Sequence, residues 1–357
     1  MQVFNVEVFD RSFNLIFADQ VDAIEYEEDY IVLTKNTIFT MYSDAVEPGQ
    51  FIHLTNNIEN YFGVVSYIEC DDLNQMEIGY LPFYSIFNTK ILFDTNLQGS
   101  GQSLETVIGG FISSYFKTNT DTEQNIPTLG AINYSSSTTS WGFNLKSDAE
   151  GMHMCIVDLY DTILVRAFKK YGIVVTVEPD LTNKVVNLTI GKINDAQVTI
   201  ESGYRNVLDT DILVGQMVSD YNKLIVYNET DYTESRTYYL HTDGTYSTTN
   251  TDRITPVVEV IKSTEPDGTF ASAADSVAAD VFGGIEFKNN ITVELLKNSA
   301  QINPLSVKIG QKVRIINEGV YYSSILSKRT ITDTVTLTFG SIRIEYTALL
   351  KGGLLNG

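Results

Sequence analysis

VEPGQFIHLTN, from Val46 to Asn56, and VKIGQKVRIIN, from Val307 to Asn317, are two versions of one pattern. Their first residues lie 261 positions apart, and that offset holds downstream without a gap. Gly49 meets Gly310, Gln50 meets Gln311, Asn56 meets Asn317, Tyr61 meets Tyr322, Ser66 meets Ser327, Asp72 meets Asp333 and Gly79 meets Gly340. With Val46 and Val307 this makes eight identities in 34 positions, and Ile52/Val313, Leu54/Ile315, Val64/Ile325 and Met76/Leu337 add apolar matches. Each copy opens on a turn signal, Pro48-Gly49 or Ile309-Gly310. A period-2 strand follows, with Ile52 and Leu54, or Val313 and Ile315, on one side. Two more strands come next: Tyr61 to Glu69 with Met76 to Tyr80 in one copy, Val320 to Ser327 with Val335 to Phe339 in the other. The pattern is an antiparallel meander written twice, as an internal duplication of a β-barrel module would produce.

The rest of the chain fits this frame. A length of 357 residues exceeds what one core usually supports, so two to four subdomains are expected. The 21 Tyr and 18 Phe, among many Ser, Thr, Asn and Asp, give the composition of a β-rich globular protein. The expected fold is α+β and mainly antiparallel β: two similar barrels, an α+β module between them, and an insertion in the second barrel. Residues 1–93 form the first barrel. Residues 94–195 form the module, with a helix capped by Ser103 that carries Leu104, Val107, Ile108, Phe111 and Tyr115. A stronger helix in the module runs from Ile156 to Tyr171 and stops at Gly172, packed on the hairpin IVVTVE/VVNLTI. Residues 196–230 and 285–350 form the split second barrel. Residues 231–284 form the insertion, with a hairpin at Asp243-Gly244 and an Ala-rich helix from Phe270 to Phe282. Residues 351–357 are a C-terminal tail.

Composition also bears on function. A net charge of −21 argues against binding nucleic acid through its phosphates, since none of the 24 basic residues forms a block. The N-terminus, MQVFNVEVF, reads as a strand and not as a signal peptide. MEIGYLPFYSIF, the longest nearly uncharged apolar stretch, is too short for a membrane span. Cys70 and Cys155 fall in different units without metal-ligand spacing and read as buried thiols. His53, His153 and His241 fall in three different units. His153 and Cys155, two apart at a helix start, do not face each other. Asp158 and Asp161, three apart on a helix, read as solvated acids rather than a glycosidase pair. Asp209 with Asp211, and Asp231 with Glu234, lack the spacing of a calcium loop. Asn187, Asn228 and Asn290 head sequons that matter only in a secretory pathway. No residue is therefore assigned a catalytic, cofactor-binding or metal-binding role, and no cofactor is expected.

The arrangement of two barrels, module and insertion, with the closing string IGQKVRIINEGVYYSSILSKRTITDTVTLTFGSIRIEYTALL, resembles the baseplate hub, or tail-associated, proteins of long-tailed phages, which are similar in fold to the hub of contractile tails. The opening strand followed by DRSFNLIF is similar as well. The resemblance implies a structural, non-enzymatic protein at the distal end of the phage tail. It implies a homotrimer whose six barrels form a ring, docked on the distal tail protein ring, with the tape-measure and receptor-binding proteins as further partners. The acidic charge would let DNA pass a central channel without sticking. Larger relatives carry C-terminal lytic or receptor-binding domains, and no lytic activity is carried over to a chain ending at Gly357. The alternatives from other classes are a carbohydrate-binding virion or surface protein, and a secreted hydrolase.

Overall fold

The computed structural model describes residues 3–22, 24–56, 59–70, 75–98, 100–143, 145, 153–194, 197–217, 221–241, 246–251, 253, 257–266, 269–282, 287–297 and 301–340. The turns expected at Asp71 to Asn74 and Asp243-Gly244, the helix stop at Gly283-Gly284, and the last strand and tail beyond Gly340 lie outside them.

Alternating apolar residues make strands from the start: β1 (Val3–Phe9), β2 (Leu15–Asp22), β3 (Tyr26–Asp29), β4 (Asn36–Met41), β5 (Phe51–Thr55), β6 (Asn60–Cys70) and β7 (Gln75–Pro82). The central region holds β8 (Lys90–Asp94), α1 (Leu104–Phe116), β9 (Leu129–Tyr134), β10 (Met154–Asp158), α2 (Val165–Tyr171), β11 (Val174–Asp180) and β12 (Val185–Gly191). Next come β13 (Val198–Glu201), β14 (Val207–Met217), β15 (Lys223–Asn228), β16 (Ser235–Leu240), β17 (Tyr246–Ser247), β18 (Glu259–Thr264) and α3 (Phe270–Phe282). The chain returns with β19 (Phe287–Leu296), β20 (Lys312–Asn317), β21 (Val320–Ile331) and β22 (Thr334–Gly340).

Two large sheets dominate. The first runs β2-β1-β5-β6-β7-β4, and the second runs β13-β20-β21-β22-β19-β14. The offset of the sequence repeat governs both. β5-β6-β7 and β20-β21-β22 are equivalent antiparallel meanders, and the strand before each, β4 or β19, pairs with the last. Gly49 and Gly310 both adopt the left-handed backbone, at φ 88° and 87°. The Gly49 N–H donates to Val65 O and the Gly310 N–H to Leu326 O, both at 2.8 Å. Gln50 accepts at Oε1 from Glu47 N, as Gln311 does from Lys308 N. Even the bulge recurs, between Val65 and Tyr67 in β6 and between Leu326 and Lys328 in β21. Repetition of turn, side-chain bridge and bulge at one offset goes beyond what two unrelated meanders share.

The first sheet curls until β2 nears β4, where Asp19 Oδ2 accepts from Met41 N at 2.9 Å. Between them the chain makes an excursion and lays β3 not on its own sheet but antiparallel on β21 of the second. The inserted unit occupies the corresponding place in the second sheet, between β14 and β19. It is a four-stranded sheet, β17-β16-β15-β18, with α3 on one face. Its core of Leu224, Val226, Tyr238, Leu240, Phe270, Ala274, Ala278 and Phe282 is separate from the main core.

Three sequence-based boundaries shift. β15, placed with 196–230 of the second unit, pairs with β16 and β18 and belongs to the insertion. β8, placed within 1–93, pairs with β10 of the central module. The helix expected from Ile156 starts later: residues 154–158 form β10, with Ile156 62% exposed opposite Leu92. A wide π-type turn at Leu159–Leu164 then leads into α2. The apolar stripe that suggested one long helix mixes a period-2 strand with a helix: Ile156 faces outward on β10, and the buried stripe begins at Leu159. The rest of the module follows expectation. Ser103 Oγ caps α1 by accepting from Thr106 N, and Gly172 closes α2 at φ 68°. β11 and β12 form the expected hairpin, with α1 packed on β12 and β9; Leu164 and Phe168 are buried at 1% and 0% exposure, Phe168 against the Tyr30 ring. One continuous core runs through both large sheets and the module, where separate cores were expected.

The two repeat glycines differ only in surroundings. A methyl at Gly49 would stand 3.7 Å from Arg11 Nη2, whereas at Gly310 it would stand 2.8 Å from Val174 Cγ1. Gly49→Ala should cost about 1 kcal/mol from backbone strain alone. Gly310→Ala should cost clearly more, because Val174 must also move. Urea unfolding of both variants checks this, and equal losses would contradict it.

Candidate functional site: the junction between the sheets

The titratable residues singled out in the sequence do not converge. His53 is buried between Glu7 Oε2 at 3.2 Å and Asn60 Oδ1 at 3.0 Å. His241 lies between Thr251 O and Ser247 Oγ, each at 2.8 Å. His153 is exposed beside the buried Cys155 at the start of a strand, not of a helix, and Cys70 is exposed where a buried thiol was expected. Asp158 ends β10, and Asp161 is exposed in the wide turn after it. Asp209 and Asp211 sit exposed on β14. Asp231 closes a local turn by accepting from Thr233, and Glu234 accepts from Asn228 Nδ2. Asn187, heading a sequon, accepts from Ala131 N. Among the described residues no three His, Cys, Asp or Glu side chains could hold a metal ion, and no helix is long and apolar enough to cross a membrane. Glu105, a carboxylate overlooked in the sequence, is fully buried on α1 and serves as an anchor. It accepts from Ser136 Oγ and from both N and Oγ1 of Thr138, which ties down the polar stretch after β9.

Convergence of charge occurs elsewhere, where β3 crosses to the second sheet. Along the β3–β21 pairing, Glu27 meets Lys328 at 2.6 Å and Glu28 meets Arg329 at 2.7 Å. Arg329 also donates through Nη1 to Leu305 O at 2.9 Å, which reaches the loop before β20. Glu59, just before β6, is 4% exposed with Lys297 3.8 Å from Oε1, beyond hydrogen-bond distance. The rings of Tyr26, Tyr61 and Tyr80 pack edge to face beside this cluster. Burial raises the Glu59 carboxyl above its usual range against the pull of Lys297 and Arg329. Burial also pushes Glu27 up, but the hydrogen bonds from Lys328 and Thr34 outweigh it and hold this carboxyl low.

Tyr30 follows β3 and locks the junction to the module. Its N–H donates to Ser327 O at 3.0 Å, its carbonyl accepts from Tyr160 Oη at 2.8 Å, and its own Oη accepts from Val175 N at 2.9 Å. The ring, 1% exposed, contacts Tyr84, Tyr160 and Phe168. First sheet, second sheet and module thus meet on one residue. The junction fixes the mutual orientation of two related sheets.

Removing one member of the Glu28–Arg329 pair strands the other in the interface. Glu28→Gln should therefore cost about 3 kcal/mol, and Glu28→Leu combined with Arg329→Met should recover most of that loss. Denaturant titration of the single and double variants reads both. The two perturbed carboxylates give opposite pH signatures. The stability from Glu27 is present above the ordinary carboxylate value of about 4.3 and is lost as pH falls through its lower native value. Ionised Glu59 imposes a cost that grows as pH rises through its raised native value. From pH 3 to pH 7, Glu27→Gln should lose stability relative to wild type and Glu59→Gln should gain it, as urea midpoints across that range would show.

No family model matches the chain, and no curated protein matches it. Solved structures do. The chain is similar to a protein of the phage P2 virion baseplate in its activated conformation, with a TM-score of 0.51 and 13% identity, covering 95% of this chain and 98% of that one. The same values hold for the P2 baseplate in its activated conformation with calcium. It is similar also to the 43 kDa tail protein of prophage MuSo2 from Shewanella oneidensis, with a TM-score of 0.53 and 12% identity over 95% and 98% of the two chains. The chain has the fold of these phage tail and baseplate proteins along nearly its whole described length.

Proposed function

We propose that this protein is a structural component of a phage tail tip, a baseplate hub located at the distal end of the tail in the virion. The observation that carries the reading is the duplication. In this reading the two sheets built on the repeated meander, joined by β3 and Tyr30, are the two barrels of one chain, and three chains make a ring of six similar barrels. Such a ring matches a six-fold tube above and a three-fold object below, which explains why one chain repeats its own fold. The shared fold with P2 baseplate and MuSo2 tail proteins supports it. The distal tail protein ring is the proposed docking partner, with the tape-measure and receptor-binding proteins as further neighbours. The net charge of −21 suits a channel wall, because Asp and Glu repel the DNA backbone where Lys and Arg would hold it. No catalytic role is proposed.

Light scattering on the full chain at tens of micromolar, alone and mixed with the distal tail ring, tests the assembly. A mass near three times 39.9 kDa is expected in at least one condition. A strict monomer in both would overturn the ring.

A further inference from the structure

The duplication makes a contact inside the chain informative about a contact between chains. In the second sheet, β21 pairs with β20 through residues 320–325, and the same edge continues at 328–331 with β3. β3 comes from the excursion between β2 and β4 of the first sheet. By the offset of 261, the equivalent stretch of β6 is Tyr67, Ile68, Glu69 and Cys70. β6 pairs with β5 only through residues 60–64, and beyond that no described strand covers this edge. The equivalent excursion, between β14 and β19, is the inserted unit. One half of a repeated interface is therefore filled within the chain, and the other half is presented at both of its ends.

We infer that the β6 edge at Tyr67 to Cys70 receives the inserted unit of a second copy of this chain, through its edge strand β18. The proposal rests on the ring described above and names the surface that closes it. β18 pairs only with β15, so its outer edge is unpaired among the described residues, and Val257, Val258 and Ile261 stand 41%, 46% and 59% exposed there. An uncovered edge strand is a hazard that a partner strand removes, and on β18 Ile261 stands exposed between the turned-in Val260 and Lys262. The chemistry of the two ends is complementary. Where β21 offers Lys328 and Arg329 to the acidic β3, β6 offers Tyr67, Ile68 and Glu69, which suits a strand that sets an exposed apolar residue beside a cation. β18 supplies Ile261 beside Lys262. On the sheet face behind this edge, across β7, Phe39 and Met41 of β4 are 59% and 66% exposed, and Phe39 shares a shallow pocket with Glu69, Cys70 and Glu77. The contact is head to tail, so each copy gives one strand and receives one, and the three-chain closure is that of the ring proposed above.

Cys70 is exposed at the end of this edge, while Cys155 is buried, so the native chain carries a reporter. Single cysteines placed along β18 at Glu259, Ile261, Lys262 and Ser263 would be oxidised in the full chain, with a cysteine at the exposed Asp121 as control. Paired strands bring Cα atoms within the 4.4–6.8 Å that a disulfide spans, roughly as neighbours across a sheet do. Disulfide-linked species up to the trimer are expected at one alternating set of β18 positions, at least about tenfold faster than the control, and they should vanish with Cys70→Ser. A light-scattering trimer whose β18 cysteines link no faster than the control would overturn this pairing and leave the ring standing. A monomer under every condition would overturn the ring and the pairing together.

Discussion

A four-residue strand laid on the wrong sheet decides the architecture. β3 leaves the first sheet, pairs with β21 of the second and carries Glu27 and Glu28 onto Lys328 and Arg329. Four residues of ladder alone would hold two sheets weakly. The ion pairs add direction, because a half-buried carboxylate against a deeply buried guanidinium tolerates little displacement before both lose their partners. Tyr30 then finishes the joint, with its backbone bonded to β21 and its ring among Tyr84, Tyr160 and Phe168. Two sheets and a module share one core as a consequence, and the relative orientation of the repeated units is built into the monomer.

The inserted unit obeys a different rule. Its core is its own, centred on Leu224, Val226, Leu240, Ala274 and Ala278, and it hangs from β14 and β19. A unit with an independent core and few shared contacts opens and moves more readily than one stitched into a common interior. Its edge strand and apolar exposures are thus available for another molecule, while the main body is spent on holding itself together.

Much of the fold was legible because local signals and tertiary demands agreed. Gly49 and Gly310 were readable as equivalent turns, since a left-handed residue followed by Gln and an alternating strand has few other uses. The caps at Ser103 and Gly172 were legible for the same reason. Ile156 misled because a strand ending in a wide helical turn puts apolar residues where a longer helix would have them. β15 misled because an edge between two β units has no mark of its own. Its apolar alternation fits either sheet, and only the pairing with β16 and β18 assigns it. As for the junction, Glu28 and Arg329 are ordinary charged residues in ordinary strands, and nothing local marks them as a pair.

The sequence by itself determined that the chain is β-rich, that a meander is written twice at an offset of 261, where the helices cap and that the whole is strongly acidic. These are consequences of period, turn chemistry and composition, each felt over a few residues. Tertiary structure alone decided that β3 would cross to the other sheet, that Arg329 would be neutralised from 301 residues away and that Tyr30 would join three layers. A strand edge specifies hydrogen bonds but not the partner that makes them. The partner is selected by which charges and which apolar faces can be buried together once the whole chain has collapsed.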